Sequence, residues 1–121
     1  MLARREHSRA ELARKLADDA TPEDLQAVLD HLERSGLLSD ARFAESFVSS
    51  RAPRVGNARL RYDLRAKGIA DDLIAAALPA DTDSETSRAR EVWRRKFGVA
   101  PADRAGYARQ ARFLQSRGFA V

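Results

Sequence analysis

Asn57-Ala58-Arg59-Leu60-Arg61-Tyr62-Asp63-Leu64-Arg65-Ala66-Lys67-Gly68-Ile69 is the stretch that decides the fold. Leu60 and Leu64 stand at i, i+4 among charged neighbours, the spacing of a helix with one buried stripe. Gly68 then stops the helix, and Ile69 follows as the apolar residue that packs back on its last turn, the Schellman pattern. Gly36-Leu37 and Gly118-Phe119 carry the same signature. Such ends turn the chain sharply, so short helices packed as hairpins are expected.

Outward from this stretch the helical period recurs, and no segment alternates with period two. Ser8-Arg9-Ala10-Glu11 is a capping box ahead of Leu12 and Leu16. Thr21-Pro22 opens a helix striped by Leu25, Val28, Leu29 and Leu32, which Gly36 ends. Ser39 or Asp40 caps a third, with Phe43, Ala44, Phe47 and Val48 inward. Asp71 to Leu78 is short and stops at Pro79. Ser84 to Phe97 carries Ala89, Val92 and Trp93, closed by Gly98. Pro101 or Asp103 starts the last, with Tyr107, Ala111 and Leu114 inward. The expected class is all-α, with about eight helices and no sheet.

The sequence also repeats. A shift of 48 sets Leu12 on Leu60, Leu16 on Leu64 and Leu25 on Leu73; a shift of 50 sets Leu64 on Leu114, Gly68 on Gly118 and Ile69 on Phe119. Three tandem three-helix units of helix-turn-helix outline are expected, over 1–38, 39–80 and 81–121, arranged as an elongated row. The first and third read as incomplete, Met1 to His7 lying inside a helix and Ala120-Val121 standing where another helix is due.

The 121 residues carry a net charge of +4, with 19 Arg and three Lys, and the charge is segregated. Residues 1–50 balance at −3, 51–67 at +5, 68–87 at −5 and 88–121 at +7. Two basic blocks point to a polyanionic or acidic-surfaced partner. Arg51, Arg54, Arg59, Arg61, Arg65 and Lys67 form the first candidate strip. Arg94, Arg95, Lys96, Arg109, Arg112 and Arg117 form the second. Six phosphate contacts among them would give a log–log salt slope of about −4 to −5.

Other chemistries find little support. There is no Cys, which excludes a disulfide scaffold, a zinc ribbon and a thiol nucleophile. His7 and His31 lack partners at metal-ligand spacing and read as structural. Asp71-Asp72 reads as a helix N-terminus, and Asp81 with Asp83 as loop residues, rather than a Mg²⁺ site. No Gly-rich loop with a phosphate-binding Lys occurs. Trp93, Phe97, Tyr107 and Phe113 have the spacing of a core, although stacking on bases is the functional alternative. No catalytic residue, cofactor or metal is expected. The chain lacks an apolar run of membrane-spanning length, and a soluble monomer of a reducing cytoplasm is expected.

Several runs resemble the RecX family, bacterial regulators of the RecA recombinase. These are Leu2-Ala3-Arg4-Arg5-Glu6-His7-Ser8-Arg9-Ala10-Glu11-Leu12, Gly36 to Val48 followed by Arg51, Leu60 to Ile69, Arg95-Lys96-Phe97-Gly98, and Arg112 to Phe119. The resemblance implies tandem three-helix units that lodge in the groove of the RecA–DNA filament. It also implies inhibition of strand exchange, ATP hydrolysis and co-protease action, and so a place in DNA repair and the SOS response. Asp18-Asp19-Ala20-Thr21 departs from the family, whose relatives carry a basic pair, Gly and an aromatic there. A direct, non-specific DNA-binding module acting through its basic helix faces is the rival reading, and an enzyme the third.

Overall fold

A computed structural model describes residues 5–80 and 82–120; Met1–Arg4, Asp81 and Val121 lie outside them. Among the described residues there are seven α-helices and no strand: α1 (Arg9–Leu16), α2 (Pro22–Arg34), α3 (Asp40–Arg51), α4 (Asn57–Ala66), α5 (Asp71–Ala77), α6 (Thr82–Lys96) and α7 (Arg104–Ser116). The all-α expectation holds. Glu6 and His7, expected inside a helix, lie outside any helix and precede the extended N-cap Ser8 of α1. Asp83, expected in a loop, stands in the first turn of α6.

The helices gather into two compact units. The first comprises the described residues up to Phe47 together with Leu64–Ala77; the second comprises Val48–Asp63 and the described residues from Leu78 on. Helices α3 and α4 therefore each contribute to both.

In the first unit the local chemistry read from sequence is in place. Ser8 Oγ accepts the Glu11 N–H at 3.1 Å, while the Glu11 carboxylate accepts the Ser8 N–H at 3.2 Å. Thr21 Oγ1 accepts the Asp24 N–H, and Pro22 fills the first position of α2. Leu12, Leu25, Leu29 and Leu38 form one core cluster, flanked by Ala13, Leu16 and Leu32. Val28, expected in that stripe, is 47% exposed. Helical geometry turns it about 60° from Leu25 and about 100° from Leu29, to the edge of the stripe beside the half-buried Leu32, so a narrow seam leaves it outside. Phe43 packs on Phe47 with centroids 5.8 Å apart, and Leu64, Ile69 and Ile74 are buried.

In the second unit Val48, Leu60, Leu78 and Phe119 are buried. Helices α6 and α7 meet through rings: Phe97 stands edge-on to Phe113 at 5.4 Å, and Trp93 Nε1 donates to Gln110 Oε1 at 2.7 Å. These contacts select the Gly106–Gln110–Phe113 side of α7 as its inner face. Tyr107, expected inward, is consequently turned out and 61% exposed.

All three expected Schellman ends form. The N–H groups of Leu37, Ile69 and Phe119 donate to the carbonyls of Leu32, Leu64 and Leu114 at 3.0–3.1 Å. Ile69 and Phe119 are buried as expected, whereas Leu37 is exposed and Leu38 takes the buried place.

Two of these ends also make the same junction, one inside each unit. In the first, Ser8 Oγ donates to Lys67 O at 2.9 Å, and Gly68 (φ +80°) lies so close that an added Cβ would meet the Ala10 Cβ at 2.5 Å. In the second, the Gly56 N–H donates to Arg117 O at 2.7 Å and the Ala58 N–H to Gly118 O at 3.2 Å. A Cβ on Gly118 (φ +87°) would meet the Arg59 backbone nitrogen at 2.4 Å. Each helix C-terminus thus meets the N-terminus of a helix one repeat earlier, its carbonyls accepting the Ser8 hydroxyl in the first unit and two backbone N–H groups otherwise unsatisfied at the start of α4 in the second.

Candidate functional site

The second unit gathers arginines from both basic blocks. Arg51 ends α3, Arg54 lies in the connection, Arg59 is in the first turn of α4, and Arg117 is the C-cap of α7. Together they line a depression of about 410 Å³, completed by Val55, Asp63 and Ser116. Asp63, the only carboxylate of that lining, accepts from Arg59 Nε at 3.1 Å.

A second depression, of about 260 Å³, shares Arg54 and Arg117 with the first. Pro53, Val92 and Phe113 give it an apolar floor, and Arg95, Lys96 and Glu91 complete its walls. The Arg117 guanidinium carbon lies 4.9 Å from the Phe113 ring centroid, with Lys96 Nζ 5.5 Å from the same ring. Cations in that position are held by the ring's negative face. Glu91 accepts from Arg94 and from Arg95. Hydrogen bonding from Arg94, with the charges of both arginines, keeps its carboxyl below the usual value.

Arg88 of α6 fixes the wall from behind. Its Nε donates to Ala52 O at 2.8 Å, and its Nη2 to Val55 O at 3.1 Å and Asn57 Oδ1 at 2.9 Å. The connection that carries Arg54 is therefore tied down by one side chain. Burial pushes the Arg88 guanidinium below its usual value, against a pull upward from Glu85. Its Nη1 is buried without a hydrogen-bond partner among the described residues.

The remaining expected site residues line neither of these depressions. Arg61 lines a different hollow, with Asn57, Glu85 and Gln115. Arg65 and Lys67 belong to the first unit, paired with Asp71 at 3.0 Å and Glu11 at 3.6 Å. Arg94 is exposed and bound to Glu91; Arg109 and Arg112 are exposed on α7 and line neither depression. Of the expected first strip, Arg51, Arg54 and Arg59 line the first depression, and Arg117 of the second strip joins them. Sequence reasoning passed over Pro53, Val55, Ser116 and the positioning Arg88. The one sequence signal for this meeting is the repeat itself, because a shift of 48 sets Gly56 on Ser8, and each receives a glycine-ended helix.

Among the described residues no group of three or more His, Asp or Glu is placed to hold a metal ion. His7 is buried, its Nδ1 3.2 Å from Arg5 O and its Nε2 3.5 Å from Lys15 Nζ, while His31 is exposed on α2. No described helix is long and apolar enough to cross a membrane. What the two depressions offer is oxyanion recognition by planar guanidinium forks beside a cation-flanked ring.

Comparison with known proteins places the chain. Residues 39–78 match the family model "RecX, second three-helix domain", and residues 83–120 match "RecX, third three-helix domain". A "Regulatory protein RecX" of Leptothrix cholodnii is 56% identical over 119 residues, covering 98% of this chain and 76% of the relative. The chain belongs to the RecX family. Another RecX, of Pseudomonas fluorescens, is 47% identical over 124 residues, covering all of this chain and 80% of that one. In fold, the chain resembles the crystal structure of RecX from Lactobacillus salivarius, with a TM-score of 0.83 at 20% identity over 98% of this chain and 81% of that one. It likewise resembles the crystal structure of a regulatory protein RecX, with a TM-score of 0.82 at 23% identity; there the chain spans 63% of the solved RecX's length.

Proposed function

We propose that this chain is a non-enzymatic regulator that binds the RecA filament on single-stranded DNA and lowers its recombinase, ATPase and co-protease activities. The observation that carries the reading is membership of the RecX family over 98% of the chain, at 56% identity to a protein named as regulatory. The cationic depressions supply the means, since arginine forks suit both the carboxylates of an acidic protein surface and phosphates.

The chain acts as a cytoplasmic monomer built of three-helix units over 1–38, 39–80 and 81–121, a division supported by the family models at 39–78 and 83–120. Tandem units suit a helical filament, because several modest contacts on one chain add by avidity. No nucleophile, base or metal takes part.

The test is a binding comparison. The chain should bind RecA assembled with ATP on single-stranded DNA at least about tenfold more tightly than it binds the same DNA alone. Equal affinity for both would replace this reading with that of a plain DNA-binding module.

A further inference from the structure

The second unit also holds a depression lined mainly by small, uncharged residues. It encloses about 360 Å³ where the end of α3 faces α6, bordered by Ser49, Ala52, Pro53 and Ser87. Side chains this small leave the two helices a hollow between them. Both cations of the lining are already engaged, Arg88 by Ala52 O, Val55 O and Asn57 Oδ1, and Arg95 by Glu91 at 3.1 Å. What remains for an incoming group is chiefly apolar surface. Pro53, Glu91 and Arg95 are shared with the depression floored by Val92 and Phe113, so the two run on as one groove beside α6. From Ser87 to Lys96 the groove follows the helix for about 13 Å. Arg54, Lys96 and Arg117 stand along its far half. Their charges rest on neutral groups: Arg54 Nη2 donates to Ser50 O at 3.4 Å, and the other two lie over the Phe113 ring.

We propose that this groove docks a short acidic, amphipathic segment of a partner protein, with an apolar side chain seated among Ser49, Ala52, Pro53 and Ser87 and carboxylates reaching Arg54, Lys96 and Arg117. The order of the lining carries the choice. A hollow alone would take any apolar group, and a cationic rim alone any anion. A nucleic-acid strand bears a charge on every residue and would set one beside the apolar half, next to Glu91. A protein segment can instead place apolar and acidic side chains in turn. A helix carries apolar anchors three, four or seven residues apart on one face, and those spacings fit a groove of this length. The anchor buried in the hollow supplies most of the affinity, while the rim cations set orientation and encounter rate. Glu91 stands at the joint of the two halves, and Arg94 and Arg95 both donate to it, which blunts its repulsion of an acidic guest.

The proposal does not rest on the RecA reading. Peptide binding by a chain that leaves RecA turnover untouched keeps this inference and loses that one; suppressed turnover by a chain that binds no peptide does the reverse. The experiment is fluorescence anisotropy of the full chain with a labelled glutamate-rich peptide carrying two leucines one helical turn apart. Exchanging the leucines for serine should weaken binding at least about fivefold, and exchanging the glutamates for glutamine should do the same. S87F, at an exposed position of α6, fills the hollow and should cost about fivefold or more, whereas S46F, exposed in the first unit, should change binding less than about twofold. R117Q should weaken the glutamate peptide about threefold and leave the glutamine one unchanged.

Equal binding of the leucine and serine peptides, equal losses with S46F and S87F, or no binding of the parent peptide would each overturn the proposal. So would an oligothymidylate whose binding S87F weakens as strongly as it weakens the peptide, which would make the groove a nucleic-acid track. Self-association of the wild type that S87F abolishes would assign the groove to a second copy and overturn it likewise. The peptide series uses wild-type protein and decides the matter even if S87F does not fold.

Discussion

Glu11 shows how one side chain in this protein serves local and long-range structure together. Its carboxylate accepts the Ser8 N–H that begins α1 and meets Arg5 Nη2 at 2.8 Å and Lys67 Nζ at 3.6 Å. Burial by itself pushes this carboxyl up. Hydrogen bonds from Arg5 and Ser8, with the charges of Arg5 and Lys67, outweigh it and hold the group below its usual value. A folded-state value below the unfolded one means a contribution that is complete above the ordinary glutamate range and lost as pH falls through the folded value. Glu11→Gln keeps a cap acceptor and removes the charge, so it should cost about 0.5–1 kcal/mol at neutral pH. The deficit should fade only as pH drops through the folded value, below the ordinary glutamate range, where the wild-type carboxyl takes up its proton. Thermal unfolding of both proteins across pH checks this; an equal deficit at acid pH would place the effect in packing rather than charge. The capping box was legible in Ser8-Arg9-Ala10-Glu11, but Lys67 lies too far along the chain for any local rule to have paired it with Glu11.

Among elements, the helix ends carry more information than the helix middles. The three glycines at 36, 68 and 118 look alike in sequence and share positive φ. Their surroundings separate them: a Cβ on Gly36 would meet nothing within 4 Å, one on Gly68 would meet Ala10, and one on Gly118 would meet the Arg59 backbone. Gly36→Ala should therefore cost only the left-handed strain, about 1–2 kcal/mol. Gly118→Ala must also move rigid backbone and should cost at least about 2 kcal/mol more. Denaturant midpoints for the two variants test the difference, and equal losses would show that the close approach carries no weight. Helix positions and caps were readable because they depend on residues three or four apart. The junctions were not, because they join Gly68 to Ala10 and Gly118 to Arg59, across distances that no hydrophobic period covers. Val28 and Tyr107 were misplaced for a related reason: sequence gives the stripe of a helix, whereas its neighbours decide how wide a part of it is covered.

Across the whole molecule, charge was legible as two basic blocks and illegible as a surface. Within the second unit Arg117 stands with Arg51, Arg54 and Arg59 because α7 ends on the first turn of α4. Arg65 and Lys67, adjacent to them in sequence, are spent on Asp71 and Glu11 in the first unit. A cation already held by a carboxylate offers less to a partner, so function should follow Arg54 and Arg117 more closely than Arg65. The most direct measurement is RecA ATP turnover on single-stranded DNA as this chain is titrated in, for wild type and for the double variant R54E/R117Q of equal helicity. The wild type should suppress turnover, and the double variant should need about tenfold more protein for the same effect. Unchanged turnover at saturating wild-type protein would contradict a regulator that acts on RecA by binding alone.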